Sequence, residues 1–317
     1  MKLDRQEAFD IAHKLIMYFN DFKRIDDYFR SRKIERVKNI PVPLPGFGLE
    51  DDMFQNYDMH PEDMNFKVVQ MQGKTFDAML EKVASFSPDE NPGKTLKLVV
   101  METTTDTVVG FIRFGSPLIN SKPRNDYLGG IPDLDIFNKR AIMGFNIVPV
   151  QPFGYNYLGG KLLALMCCSH EVKKIIDEKY DMNLCHFETT SLYGSTKSMS
   201  QYDGLKPFIK GHGLTDSNFA PLMNDSYFKD LERFFVEKNG GPIVWEEASS
   251  RKMKCQSKMI SILRKSLPEN EKKQFEKVVD DARRLNEKKR FYVSDLGYEN
   301  SKDVITGKTD TLIPKSN

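Results

Sequence analysis

The stretch FNIVPVQPFGYNYLGGKLLALMCCSHEV, residues 145–172, passes from an apolar run through a turn rich in Gly and Tyr into a strongly apolar helical segment. A strand that enters a helix through a tight turn leaves the first helical amides pointing outward and unpaired. The helix dipole adds partial positive charge there, so the position suits an anion such as a pyrophosphate. Gly154, Gly159 and Gly160 would let a ligand approach the backbone closely, and Lys161 adds a cation. Neither the Walker pattern nor the dinucleotide GxGxxG is present. The local pattern therefore favours a structural corner over a phosphate cradle.

Upstream, Phe66–Met71 and Thr95–Met101 read as strands, with Thr75–Ser85 as a helix between them. Thr107–Phe114 is a further strand, rich in β-branched and aromatic residues and joined to its predecessor by the polar run Glu102–Asp106. Ile142–Val150 is the strand that leads into the turn, Leu158–Tyr180 the helix after it, and Leu184–Ser191 a following strand. Helices interleaved with mostly hairpin-linked strands predict an α+β domain over residues 66–240, with a mixed, mostly antiparallel sheet and flanking helices. Before it, residues 1–39 carry apolar groups at helical spacing, which predicts an amphipathic helix that needs a partner protein or a second copy. Residues 40–65 begin with alternating prolines and read as a linker. Residues 241–300 read as a basic helical region and 301–317 as a tail.

A second polar constellation follows the turn. The strand ending in Glu188, Thr189, Thr190 and Ser191 runs into a loop with Tyr193 and Tyr202 and sets hydrogen-bonding groups at a sheet end, where ligands often bind. Glu188 suits a general base, and Tyr193 or Tyr202 a general acid; turn hydrogen bonding and a solvated carboxylate explain the same residues. The histidines show no HExxH or HxH spacing and read as structural, and Cys167 and Cys168 sit on an apolar helix with no base nearby.

Lys and Arg number 47 against 45 acids, for a net charge of +2, so any affinity for nucleic acid has to be local. The candidate is the helix carrying Arg251, Lys252, Lys254, Lys258, Arg264 and Lys265, although such residues also form ordinary solvated faces. No run of residues reaches the roughly 18 apolar positions of a membrane helix. Four cysteines without CxxC spacing fit a reducing, cytoplasmic setting.

The segment from Ile142 to Gly213 resembles the cofactor-binding core of the GNAT acyltransferase superfamily. More specifically, Tyr157-Leu-Gly-Gly-Lys-Leu-Leu-Ala-Leu-Met, Phe187-Glu-Thr-Thr, Tyr193-Gly-Ser-Thr and Tyr202-Asp-Gly-Leu look like a family that includes a component of the Druantia anti-phage system and relatives in phages and mobile elements. The resemblance implies an acyl group moving from coenzyme A to an amine, with nucleic acid or protein as acceptor. Acetyl coenzyme A or another acyl coenzyme A would run along Asn146, Val148 and Val150, with its pyrophosphate on Gly154, Gly159, Gly160 and Lys161. Glu188 or a bound water would take a proton from the amine, and Tyr202 or Tyr193 would return one to the thiolate. Tyr157 departs from the glycine expected in the loop, and its ring would fill the cradle if it lay over the helix N-terminus. A degenerate fold that binds nucleic acid or protein without catalysis is the alternative.

Overall fold

A computed structural model describes residues 1–38, 40, 58–71, 73–87, 93–151, 153–191, 199–215, 221–248, 251–285 and 288–316. Most of the Pro-rich linker, and Tyr193, lie outside these residues.

The chain forms two compact units, one of Met1–Lys38 with Ser217–Glu287 and one of Asn39–Asp216 with Lys288–Asn317. The expected N-terminal helix and most of the basic region thus fall in the first unit, together with residues 217–240. That unit is helical: α1 (Arg5–Asn20), α2 (Ile25–Lys38), α9 (Asp225–Asn239), α10 (Arg251–Ser266) and α11 (Glu269–Arg284). Asp4 and Glu7 form a reciprocal capping box that starts α1. One amphipathic helix was expected within residues 1–39; two form, because Asp27 accepts from the amides of Lys23 and Arg24 and starts α2 afresh. The apolar stripe Ala8, Ile11, Ala12, Leu15 and Phe19 is buried within the unit, where α1 packs on α10 and α11. Its sticky face therefore finds a partner inside the chain. Residues 221–224, which enter α9, are pinned by the hydroxyls of Tyr28 and Tyr18, which accept from the amides of Leu222 and Asn224.

The second unit is an α+β fold built on a seven-stranded, mostly antiparallel open sheet. Its strands are β1 (Phe66–Gln70), β2 (Thr95–Glu102), β3 (Thr107–Gly115), β4 (Ala141–Pro149), β5 (His186–Ser191), β6 (Lys210–Leu214) and β7 (Arg290–Ser294). Their order is β1-β2-β3-β4-β5-β7-β6, and β4 with β5 is the one parallel pair among them. The connections between strands, and the segment after β7, supply the flanking helices: α3 (Lys74–Val83), α4 (Lys122–Leu128), α5 (Leu134–Arg140), α6 (Phe153–Asn156), α7 (Gly159–Met166), α8 (His170–Tyr180) and α12 (Ser301–Ile305). The expected helix over residues 158–180 is two helices, because Ser169 accepts from the Val172 amide and caps α8.

Strand alternation sorts the core onto two faces. Leu98, Val100, Ile112, Ile142, Ile147, Phe187 and Tyr292 pack with α7 and α8 on one face. Val99, Phe111 and Val150 meet α3 on the other, where Ala141 also packs with Phe137 and Val304. Gly110 is required for the first layer, since a Cβ there would lie 2.2 Å from the Leu163 side chain.

The β2–β3 hairpin is closed by Glu102. Its buried carboxylate accepts from the amides of Asn65, Thr104 and Thr105 and from the Thr105 hydroxyl. Burial pushes its pKa up, but these hydrogen bonds outweigh that and hold it at about 2, against 4.5 for a free glutamate. The folded state therefore gains stability above the unfolded pKa and loses it as the pH falls toward the folded one. Glu102→Gln is expected to lower stability near neutral pH by about 1–3 kcal/mol. Urea titrations at stepped pH should show the gap to wild type closing between pH 4.5 and about 2; a gap that persists in acid would mean the carboxylate is not the cause.

Candidate functional site

The parallel ladder between β4 and β5 is short. Pairing runs from Ala141–His186 to Gly144–Thr189 and stops there, while β4 continues to Pro149. The cause is local. Between Arg113–Asn146 and Phe114–Gly144 the β3–β4 register shifts by one residue, so Phe145 is a bulge that turns β4 away from β5. At the last paired position the Thr189 hydroxyl donates to the Gly144 carbonyl at 2.8 Å. Beyond it, among the described residues, no strand is paired with β4 on that side, and the Ile147 carbonyl accepts from the Gln201 carboxamide at 3.1 Å.

The bulge also inverts parity. Without it Asn146, Val148 and Val150 would share the side of Gly144 that faces β5. With it Ile147 faces the gap, while the Val150 amide donates to Val109 of β3. The Asn146 side chain is buried and donates to the Phe86 carbonyl, and its Oδ1 has no partner.

The helix N-terminus expected to cradle a pyrophosphate stands at one end of this gap. Leu158 adopts a left-handed conformation with φ 53° and starts α7 without a side-chain cap. Packing explains two of the three glycines: a Cβ on Gly154 would lie 2.6 Å from the Pro149 ring, and one on Gly159 would lie 2.7 Å from Phe153. Gly160 alone faces the gap, where a Cβ would stand 2.7 Å from Gln201 Oε1. Tyr157 does not supply the covering group at that position. Its ring stacks on Phe153 and its hydroxyl donates to the Met59 carbonyl. The cover is Gln201, and Lys161 holds the cover in place through the carbonyls of Gln201 and Asp203. Asp203 in turn accepts from Arg290, the Ser200 amide and the Tyr292 hydroxyl.

Tyr202 lies next to Gln201 and packs on Tyr292, with ring centroids 5.1 Å apart. Burial pushes its hydroxyl up to about 12, only partly offset by hydrogen bonding with the Thr189 and Gln201 side chains. It is a protonated donor throughout the physiological range.

Glu188 is on the opposite face of the sheet. It sits one residue before Thr189 on β5, so it points away from Tyr202 toward α4 and α5. There it is buried in an ion pair with Arg124 at 3.2 Å and lies 3.3 Å from His186 Nε2. Arg124 donates as well to the carbonyls of Leu118 and Ile119 and lies over the Phe137 ring. The two expected proton-handling groups thus bracket the gap from opposite faces of the sheet. Tyr193 lies outside the described residues. His186 was expected, with the other histidines, to be structural, and no role was given to Arg124 or Gln201; Gln201 is next to Tyr202, but nothing local marks Arg124.

In the helical unit, three of the basic residues of α10 are paired with carboxylates. Arg251 pairs with Glu232, Lys252 with Asp225, and Arg264 with Glu276 and Asp280, while Lys258 and Lys265 are exposed. Among the described residues no helix is long and apolar enough to cross a membrane, and no group of three or more His, Cys, Asp or Glu side chains is placed to hold a metal ion.

No curated protein and no solved structure matches the chain. Residues 44–200, just under half of its length, match the family model described as Druantia protein DruA. That stretch spans β1 to β5, with the bulge, the α7 turn and the Glu188 strand, and the match supports the Druantia anti-phage family for it.

Proposed function

We propose that the sheet unit is a GNAT-like acyltransferase that moves an acyl group from coenzyme A to an amine, acting in anti-phage defence. The observation that carries the reading is the parting of β4 from β5 at a bulge beside the start of α7. A gap between parallel strands is a place where an extended amide-bearing arm can pair with a strand edge and reach a group on the far face. The Gln201 carboxamide already does in miniature what such an arm requires: it donates to the Ile147 carbonyl and sits over Gly160.

In this reading the donor arm takes the place of Gln201 along Ile147, and its phosphates meet the amides at Gly160 and the freed Lys161. Backbone pairing positions the thioester at the mouth of the gap, which is the larger part of catalysis for acyl transfer. The amine approaches from the face of Glu188 and attacks the thioester carbonyl carbon. The C–N bond forms, its proton passes to the Glu188–His186 pair, the C–S bond breaks, and Tyr202 protonates the leaving sulfur.

Calorimetric titration with acetyl coenzyme A tests the reading. Wild type is expected to bind. Gln201→Ala should bind several-fold more tightly, because the arm no longer competes with a tethered amide. Gly160→Val should bind at least tenfold more weakly, because its side chain fills the same space. No heat from wild type at millimolar donor would reject the proposal, as would unchanged affinity in Gly160→Val.

A further inference from the structure

We infer that the face of the sheet carrying Glu188 also binds the phosphate backbone of nucleic acid, through Lys210, His212 and Lys302 grouped around Tyr127. Register places the first of these. Glu188 pairs with Val293 of β7 and Val293 with Lys210 of β6, so the three residues form one row across the sheet. At about 4.8 Å per strand, Lys210 stands on the order of 10 Å from Glu188 on the same face. His212, two residues along β6, lies on the same side, with its ring 4.2 Å from that of Tyr127. Lys302 of α12 covers Tyr127 at 5.6 Å, and Tyr127 reaches back to the His186 ring at 6.3 Å.

These cations are not engaged elsewhere. Lys210 and Lys302 are exposed, and among the described residues neither has an ion pair or side-chain hydrogen bond. The nearby acids are occupied: Asp126 pairs with Lys122, Asp295 with Lys315 and Asp303 with Lys308. The contrast is with α10, whose Arg251, Lys252 and Arg264 already have carboxylate partners. The field at Tyr127 is felt by His212 itself. Burial lowers its pKa, and Lys210, His186 and Lys302 lower it further. Lys210, His212 and Lys302 are spread along a strand edge and a helix, which suits successive phosphates of a chain better than one compact anion.

An anion among these groups favours protonated His212, so binding takes up a proton and tightens as the pH falls. The groups facing His212 are Lys210 on its own strand, Tyr127 of α4, His186 of β5 and Lys302 of α12, with Asp295 acting on Tyr127. The inference does not depend on acyl transfer, and acetyl coenzyme A plays no part in its test.

Fluorescence anisotropy with a short labelled DNA single strand, at several salt concentrations, is the experiment. The double variant K210Q/K302Q is expected to bind at least tenfold more weakly at low salt, and to flatten the slope of log affinity against log salt by about 1.4. Wild-type affinity should rise several-fold between about pH 8 and about pH 6, and His212→Gln should remove that rise. K258Q/K265Q on α10 serves as the control and should leave affinity and slope unchanged. Circular dichroism melts confirm that each variant is folded. Failure of wild type to bind at low salt, an unchanged slope in K210Q/K302Q, or loss of binding in K258Q/K265Q would each overturn the inference. So would displacement by inorganic phosphate that exceeds the effect of sodium chloride at equal ionic strength, since the site would then be one for free phosphate.

Discussion

Glu188→Ala is expected to destabilise the sheet unit by about 3–5 kcal/mol, because it strands the Arg124 guanidinium in a site with no solvent to receive it. Both side chains are 1% exposed. Arg124 keeps the carbonyls of Leu118 and Ile119 and the Phe137 ring, none of which cancels a positive charge. The double variant R124M/E188L should recover most of the loss, since a buried ion pair replaced by apolar side chains of similar volume is often near neutral in stability. Hydrogen–deuterium exchange of the β4 and β5 amides, together with urea unfolding followed by circular dichroism, reads both. A single variant that costs under about 1 kcal/mol, or a double variant worse than the single, would show that the pair is not an isolated buried charge couple. The same comparison separates architecture from chemistry, because R124M/E188L should fold and yet lack the proton acceptor that acyl transfer needs.

Phe187→Ala should cost about 3–5 kcal/mol through the cavity it opens on the other face. Phe187 is fully buried, meets Phe114 edge to face at 6.0 Å, and lies beneath Gly144, the last residue of β4 paired with β5. A Cβ on Gly144 would stand 3.0 Å from the Phe187 ring and 3.1 Å from Ile147. Gly144→Ala alone is therefore expected to cost about 1–3 kcal/mol by overpacking. In the Phe187→Ala background it should cost less, because the methyl group enters the vacated space. That coupling, measured as a double-mutant cycle in urea, marks the two residues as one packing unit at the point where the strands part. Strict additivity would count against it.

The strands β1 to β5 were legible because each alternates or concentrates β-branched and aromatic residues. β6 was not: Lys210–Leu214 contains two glycines, and its position at the sheet edge asks for no apolar face. β7 was hidden because five residues follow a charged helix without a turn signal. The polar end of β5 stands out in the sequence, but nothing local supplies its partner, since Arg124 lies 64 residues away on a short helix. For Asn146, Val148 and Val150, which the family resemblance named, to face the gap, β4 would have to alternate without a break from Gly144. One inserted residue at Phe145 reverses every such assignment after it, and nothing in the residue types of Gly144, Phe145 and Asn146 announces the bulge. Tyr157 was suspected of filling the cradle on its size alone. The occupant is Gln201, some 40 residues on, brought there by a turn whose hydrogen bonds run through Lys161 and Asp203.

The interleaving of the two units sets an order of events during synthesis. α1 and α2 leave the ribosome first, but α9, α10 and α11, which complete their unit, follow only after roughly 180 further residues, a wait on the order of 10–35 s at ordinary elongation rates. The sheet is delayed in turn, since β6 can pair with β7 only after those helices have been made. The helical unit therefore cannot close before α11 is made, to Arg284, nor the sheet before β7 is made, to Ser294. The apolar stripe of α1, from Ala8 to Phe19, is on view for that whole interval.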